Sequence, residues 1–215
     1  FYKGKKYSLN GEDLFPKFAF LDPLLTIDLN ESQTMISSLD ALSHGFESIW
    51  NNNATLETLS LSYEVVKDTI EILPKVLKNP NNLNLRLNML IASNKAGLAI
   101  SHTKTALAHS ISYPITTKLM IPHGIACSFT LSEILNFNMV KDDGRLETLI
   151  NMLGFKNSKT LSKFIFNFLK KLGIKKYIYP LIKDDIYKKL VKEMITKDRA
   201  NNNLREVNFD DIEKI

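Results

Sequence analysis

Asp40 and His44 stand four residues apart in Leu39-Asp40-Ala41-Leu42-Ser43-His44-Gly45-Phe46-Glu47, a run patterned like a helix. On a helix, positions i and i+4 point the same way from successive turns, so this carboxylate and this imidazole can grip one ion. The same spacing also yields solvated or capping pairs, so the other histidines decide its meaning. The chain has four, His44, His102, His109 and His123. His123 follows Pro122 in Ile121-Pro122-His123-Gly124, and a proline near a helix start pins the first turn and any side chain it carries. His102 and His109 are seven residues apart, about two turns or ~10 Å along a helix axis. Within one helix, only one of these two reaches a shared ion. Each histidine alone is more often a core or surface residue than a ligand. One carboxylate and three imidazoles together are donors that suit a divalent transition metal, and such an ion with an open position is a Lewis acid. No Ser-His-Asp or Cys-His pattern offers a protein nucleophile instead.

The elements that must position these residues are mostly helical. Residues 34–51 form a first long helix. A second, over 55–73, buries a stripe of Leu56, Leu59, Tyr63, Val66, Ile70 and Leu73 and is kinked or ended by Pro74. Asn79-Pro80-Asn81-Asn82 makes a loop. Residues 83–100 are apolar on more than one face and belong in the core. A helix over 124–137 follows Pro122, and others are expected near 145–153, 158–172, 183–197 and 209–215, with Gly154 and Gly173 as C-caps. The asparagine-rich loops read as compositional.

Residues 1–28 differ. Lys5–Leu9 and Lys17–Leu21 read as short strands around an Asn10-Gly11 turn. Two strands make a poor unit alone, so they are expected to belong to a sheet domain outside the chain, which starts at Phe1. Residues 29–215 then form the helical domain, entered through Asp22-Pro23.

The net charge of +5 invites a polyanion, but the lysines Lys170, Lys171, Lys175, Lys176, Lys188, Lys189 and Lys192 alternate with apolar residues at helical spacing. That marks a solvated helix face, so no nucleic acid is expected. No apolar run is long enough to cross a bilayer. The single Cys127 excludes an intramolecular disulfide and a cysteine-rich zinc site, and a reducing cytoplasm is the default expectation.

Asp22-Pro23-x-Leu25-Thr26, Leu39-Asp40-Ala41-Leu42-x-His44-x-x-Glu47 and Ile121-Pro122-His123-Gly124 resemble the C-terminal half of iron-containing (group III) alcohol dehydrogenases. Leu73-Pro74, Arg86, Ala92-Ser93 and Ala96-Gly97 also fall where that family places such residues. The resemblance fades after about Leu135. It implies a mostly α fold, the helical-bundle domain of the dehydroquinate-synthase-like architecture, with a short β remnant at its start. It also implies that Asp40, His44, His109 and His123 hold Fe2+ or Zn2+, beside which hydride passes between NAD(P)H and a small aldehyde or alcohol. Ser38 stands where the family usually has glycine. Tyr113 stands where many members carry a histidine near the nicotinamide, and its hydroxyl is the candidate proton relay, with a packing role as the alternative. The family's glycine-rich nucleotide segment is not among these residues, so the nucleotide-binding domain is an expected partner and the chain alone is expected to bind NAD(P) poorly. A homodimer is implied by the family only.

The run Thr103-Lys104-Thr105 before His109, with Ser112-Tyr113-Pro114 after it, resembles the phosphonoacetaldehyde reductase branch. Lys104 with Thr103 and Thr105 would suit an anionic head, making phosphonoacetaldehyde to 2-hydroxyethylphosphonate the sharpest expectation. The alternatives are a general primary-alcohol or 1,2-diol dehydrogenase, a metal-dependent hydrolase, for which no extra general base is evident, and a non-catalytic helical module with a vestigial site.

Overall fold

In the computed structural model, residues 14–183 and 186–215 are described. Among them are helices α1 Glu31–Ile49, α2 Leu56–Lys78, α3 Leu83–Thr103, α4 Leu107–Leu119, α5 His123–Ser128, α6 Leu131–Asn138, α7 Arg145–Met152, α8 Ser158–Lys171, α9 Lys175–Lys183, α10 Ile186–Met194, α11 Lys197–Ala200 and α12 Phe209–Ile212. No helix among the described residues is long and apolar enough to cross a membrane.

The centre of the molecule is α1. Asn30 caps it, its side chain accepting the Gln33 N–H at 2.8 Å, and Glu31 sits in the first turn, where the helix dipole favours an anion. Leu39, Leu42, Phe46 and Ile49 are all fully buried, and their three-and-four spacing makes one apolar stripe. The stripe is enclosed by α2, α3 and α5, which pack against α1.

Both α2 and α3 depart from their sequence patterns. Pro74 lies inside α2, which continues to Lys78. A proline removes one backbone hydrogen bond, but buried Leu73 and Val76 hold the last turns against the core. Leu59, Tyr63, Val66, Ile70 and Leu73 of the expected stripe do pack against the core, but the buried face is wider and begins later. Leu56 is 88% exposed, whereas Ser62, Val65, Val66 and Thr69 are buried. Nor is α3 buried all round. Its inner face is Arg86, Met89, Ala92, Ala96, Ala99 and Thr103, while Leu83 and Leu98 are exposed. The alanines let neighbouring helices approach closely. Arg86 is buried with no carboxylate partner among the described residues, and donates to the Pro80 carbonyl at 2.7 Å, Thr34 Oγ1 at 2.9 Å and the Leu29 carbonyl at 3.1 Å. This ties the entry loop to α3.

Three further expectations change. The helix expected over 124–137 is two, α5 and α6, and α4 and α9 lie where no helix was expected. Lys17–Leu21 forms no strand, because a strand needs a paired edge and none stands beside it among the described residues. Phe18 and Phe20 there are exposed. The other expected strand, Lys5–Leu9, lies outside the described residues. The asparagine loops prove structural. Asn138 and Asn203 exchange side-chain hydrogen bonds at 3.2 and 2.8 Å in a buried pair. The Leu204 N–H reaches the Trp50 carbonyl at 2.8 Å and the Asn52 N–H the Asn202 carbonyl at 2.7 Å. They fasten the late chain to the end of α1. The lysine run behaves as its spacing predicts, with Lys170, Lys171, Lys175, Lys176, Lys188, Lys189 and Lys192 all exposed. Gly154 and Gly173 have φ of 74° and 75° just past α7 and α8, the left-handed conformation of a helix stop.

Candidate metal centre

Asp40, His44 and Glu47 follow one another on α1 at spacings of four and three. At ~100° per residue they occupy one narrow arc across the helix from the apolar stripe, so the helix that builds the core also presents a polar row. Asp40 and His44 are partly exposed, while Glu47 is fully buried.

What Glu47 does explains the position of His109. Lys104 has φ 64°, a left-handed residue that separates α3 from α4. Ala106 at the head of α4 supplies no side-chain cap, so orphan N–H groups remain there. The Glu47 carboxylate takes two of them, accepting from Ala106 N at 2.9 Å and His109 N at 2.9 Å, and it also bonds His109 Nδ1 at 2.7 Å. A carboxylate at Nδ1 fixes that nitrogen as the N–H donor and turns Nε2 towards the centre. His109 Nε2 faces Asp40 Oδ1 at 3.4 Å.

His123 arrives on α5 through a close backbone contact. A Cβ on Gly124 would lie 1.9 Å from the Ile36 carbonyl oxygen and 3.1 Å from the Asp40 nitrogen. Only glycine lets α5 lie against α1 here, and the contact puts His123 Nε2 3.8 Å from Asp40 Oδ1. Gly124→Ala should therefore cost stability at the upper end of the ~1–3 kcal/mol typical of overpacking and also weaken ion binding. A thermal melt paired with a zinc titration reads both, and an unchanged zinc affinity would show that this contact does not place His123.

The donors converge. His44 Nε2 is 3.9 Å from Asp40 Oδ1, and its ring stacks on that of His109 with centroids 4.7 Å apart. Donors ~2.1 Å from a common ion stand roughly 3.4–3.9 Å apart at tetrahedral or wider angles, the range of all three contacts to Asp40. Two atoms at the middle, Asp40 Oδ1 and His109 Nε2, are buried and have no hydrogen-bond partner. Buried polar atoms are rarely left so, and a cation would satisfy both. The chain's residues thus fit a divalent ion.

At Asp40 and His44, though not at His109, electrostatics favour the metal-binding state. Burial would raise the Asp40 pKa, but contact with His109 and the charges of His44, His109 and His123 bring it down to about 2. Burial lowers His44, keeping it neutral and able to bind metal. Burial also opposes charge on His109, but Glu47 outweighs it and raises His109 well above its usual value. Glu47 itself is lowered despite full burial, chiefly by His109.

The structure thus brings Asp40, His44, His109 and His123 close together. His102 is exposed, before the break at Lys104. Tyr113 lies one turn beyond His109, its ring 6.1 Å from that of His123. Of the three residues expected to read an anionic head, Thr103 and the Lys104 backbone lie away from the cluster. Thr103 is buried with its hydroxyl bonded to Ser48 Oγ at 2.9 Å, and the Lys104 carbonyl accepts from Asn51 Nδ2 at 3.0 Å. Ser48 and Asn51 are ~12 and ~16 Å along α1 from Asp40. The Thr105 carbonyl is held by Asn202 Nδ2 at 2.9 Å, on the same side. The break that frees α4 to begin at Leu107 carries Thr103 and the Lys104 backbone away from the centre, while Thr105 adjoins the Ala106 N–H that Glu47 holds.

Three residues come into view only in the structure. Glu47 is one. Arg199 is another, with its guanidinium 4.2 Å from the Tyr113 ring centroid and a buried Nε without a partner. Its segment is held beside α4 by Ser110, whose hydroxyl donates to the Met194 carbonyl at 2.6 Å and accepts the Thr196 N–H at 2.9 Å. Cys127 is the third. A Cys-His pair does exist, because Cys127 lies one turn after His123 on α5, with Sγ 3.5 Å from His123 Nε2. The i+4 spacing was the available signal. A cavity of about 460 Å3, lined by Ile111, Ile115, Phe129 and Ile212, lies on the opposite face of α4 from His109 and is not part of this centre.

Comparison with known proteins agrees with the geometry. A family model described as "Fe-containing alcohol dehydrogenase family, C-terminal" matches residues 34–215. The phosphonoacetaldehyde reductase of Streptomyces viridochromogenes is 34% identical over 134 residues, 62% of this chain and 34% of that protein. An alcohol dehydrogenase of Thermococcus barophilus is 28% identical over 89% of this chain and 50% of its own length. Among solved structures, sulfoacetaldehyde reductase from Bifidobacterium kashiwanohense in complex with NAD+ superposes with a TM-score of 0.83 at 28% identity, covering 90% of this chain and 51% of that one. An iron-containing alcohol dehydrogenase from Thermotoga maritima gives 0.76 at 26%, over 94% and 53%. The chain spans from 34% to 53% of the length of these relatives. Its helical architecture, its convergent donors and the match along residues 34–215 place it in the iron-containing alcohol dehydrogenase family, matching that family's C-terminal region.

Proposed function

We propose that this chain is the metal-holding part of an NAD(P)H-linked aldehyde reductase or alcohol dehydrogenase, with Asp40, His44, His109 and His123 as holders of Fe2+ or Zn2+. The observation that carries this is the pair of buried, unpartnered atoms, Asp40 Oδ1 and His109 Nε2, at the meeting point of the donors. When bound, the ion supplies Lewis-acid polarisation of the aldehyde oxygen. Glu47 keeps His109 Nε2 turned inward, and Gly124 keeps His123 in range. The Tyr113 hydroxyl is the proposed proton relay on the His123 side. The nucleotide belongs to the portion of the relatives' length that this chain does not span, and residues 1–28 are proposed to belong with that portion. The 1–28 and 29–215 division rests on the change of composition.

The proposed substrate is a small aldehyde bearing an anionic head, phosphonoacetaldehyde being the sharpest case. Two relatives are named for such aldehydes, one a phosphonate and one a sulfonate. Since Thr103 is committed to Ser48, the cation proposed to meet the head is Arg199, whose unpartnered Nε lies beside Tyr113.

Turnover of the whole enzyme on phosphonoacetaldehyde and on butanal, before and after chelation, tests this reading. Activity should vanish with the metal and return with iron or zinc, and the phosphonate aldehyde should be strongly preferred. Arg199→Ala should raise KM for the anionic aldehyde by ~10–100-fold, the worth of one charge-assisted hydrogen bond, and leave butanal nearly unchanged. Equal turnover of the two aldehydes by the unaltered enzyme would point to a general alcohol dehydrogenase. Metal-independent activity, or none, would remove the metal reading.

A further inference from the structure

Resting on the reading above that Arg199 meets the anionic head, we propose that Ser110 is the positioning residue for that specificity. It fixes Arg199 through Thr196 and touches no substrate itself.

Ser110 lies fully buried in α4, and its hydroxyl is used to capacity. Its Oγ donates to the Met194 carbonyl at 2.6 Å, accepts the Thr196 N–H at 2.9 Å and stands 3.0 Å from Thr196 Oγ1. A serine hydroxyl has one proton to give and two lone pairs to fill. With the proton on the Met194 carbonyl, the Thr196 hydroxyl must be the donor in the third contact, and nothing is left for a ligand. All three partners belong to the short link from Met194, the last residue of α10, to Thr196, just before α11.

That link governs Arg199. Helix α11 is four residues long, too short to hold its place as an isolated helix. The Arg199 and Ala200 N–H groups donate to the Thr196 carbonyl at 3.0 and 2.8 Å, so the turn carrying Arg199 grows from the residue that Ser110 grips. The far end of the side chain is set against the same helix. Its guanidinium lies 4.2 Å from the ring centroid of Tyr113, a cation–π contact, and Tyr113 follows Ser110 by three residues on α4. Backbone and guanidinium of Arg199 are therefore both placed by the helix that carries His109. One rigid element then fixes how far the anionic head sits from the metal centre, and so which aldehydes span the two. Losing the Ser110 hydroxyl would leave α10 in place, because Leu190, Val191 and Met194 are buried in the core and Lys118 pairs with Glu193. What loosens is the link and the guanidinium beyond it.

Steady-state kinetics of the whole enzyme on phosphonoacetaldehyde and butanal test this with Ser110→Ala, Arg199→Ala and the double variant. Ser110→Ala should raise KM for the phosphonate ~3–10-fold, the worth of a hydrogen bond, with kcat and the KM for butanal unchanged. In the Arg199→Ala background the same substitution should add nothing, because a residue that acts through another loses its effect when that other is gone. A full further rise in that background, or equal rises for both aldehydes, would show that Ser110 serves the fold alone and overturn the proposal. So would an unchanged KM in Ser110→Ala while Arg199→Ala raises it, a result that leaves Arg199 as the reader of the head. If Arg199→Ala itself leaves KM unchanged, the reading of Arg199 falls and the role of Ser110 falls with it. If Ser110→Ala fails to fold, Thr196→Val decides. It removes one hydroxyl and keeps the Thr196 N–H, so a rise in KM confined to the phosphonate supports the positioning role and no rise overturns it.

Discussion

Replacing Asp40 by Asn should abolish metal-dependent stabilisation of this chain. Asp40 is the hub of the cluster, since its Oδ1 is the atom that His44, His109 and His123 all face at 3.4–3.9 Å. Its carboxyl is ionised down to about pH 2, so near neutrality it brings a full negative charge that asparagine lacks. An ion present at 100 times its Kd stabilises the folded state by about 2.7 kcal/mol. For a chain of this length that is a rise in Tm of roughly 5–10 °C. If the substitution weakens binding ~100-fold, the same ion concentration only equals the new Kd and contributes about 0.4 kcal/mol. The measurement is a zinc-dependent melt of both proteins, and equal Tm shifts would show that Asp40 is not a ligand. A proton count accompanies it. His109 has its pKa raised above the usual 6.5, so above pH 6.5 it is still protonated in the ion-free protein. Binding must expel that proton, and affinity should climb by up to tenfold per pH unit until His109 titrates, each further proton expelled adding as much.

What the sequence discloses of this site depends on how local each contact is. Asp40 and His44 are legible because one helix turn joins them, and the same turn rule would have joined His123 to Cys127. His109 and His123 become legible as ligands only through the family resemblance, because their meeting with α1 is a tertiary event. Glu47 stands in plain view three residues after His44, yet its partners Ala106 and His109 lie 59 and 62 residues away, and no spacing rule reaches across that distance. The misplacement of Thr103 and Lys104 has the same origin. The left-handed turn at Lys104 sends them to the far end of α1, and a lysine at positive φ leaves no mark that a glycine would have left. Likewise, Pro74 looks like a helix stop locally, and the burial of Leu73 and Val76 overrides it. The asparagines at 51–53 and 201–203 read as loop composition because the bonds from Asn52 and Asn53 to Asn201, Asn202 and Asn203 are tertiary contacts that no local pattern shows.

Glu47→Ala should be the most destabilising single change near the centre, at roughly 3–5 kcal/mol, the cost of breaking a buried pair by removing one partner. The carboxylate is fully buried and satisfies two backbone N–H groups and the His109 ring, so alanine leaves three donors stranded. Glu47→Gln separates positioning from stability. It keeps the volume and one acceptor oxygen, so the loss should fall to ~1–3 kcal/mol. Its amide cannot stabilise a charged His109 or fix its tautomer, and zinc affinity should drop by ~10–100-fold, as for other residues that orient a ligand. The pH dependence carries the signature. His109 has a folded pKa above its usual 6.5, so its share of stability is complete below pH 6.5 and fades as pH rises through the folded value. Glu47 has a folded pKa below its usual 4.5, so its share is complete above pH 4.5 and is lost as pH falls through the folded value. Ion-free chain should therefore be most stable between about pH 4.5 and 6.5 with respect to this pair, and denaturant midpoints should decline on the alkaline side. In Glu47→Gln that alkaline decline should flatten. A decline of equal slope in both proteins would mean that the pair does not hold charge across the fold, and His109 would then be positioned by packing alone.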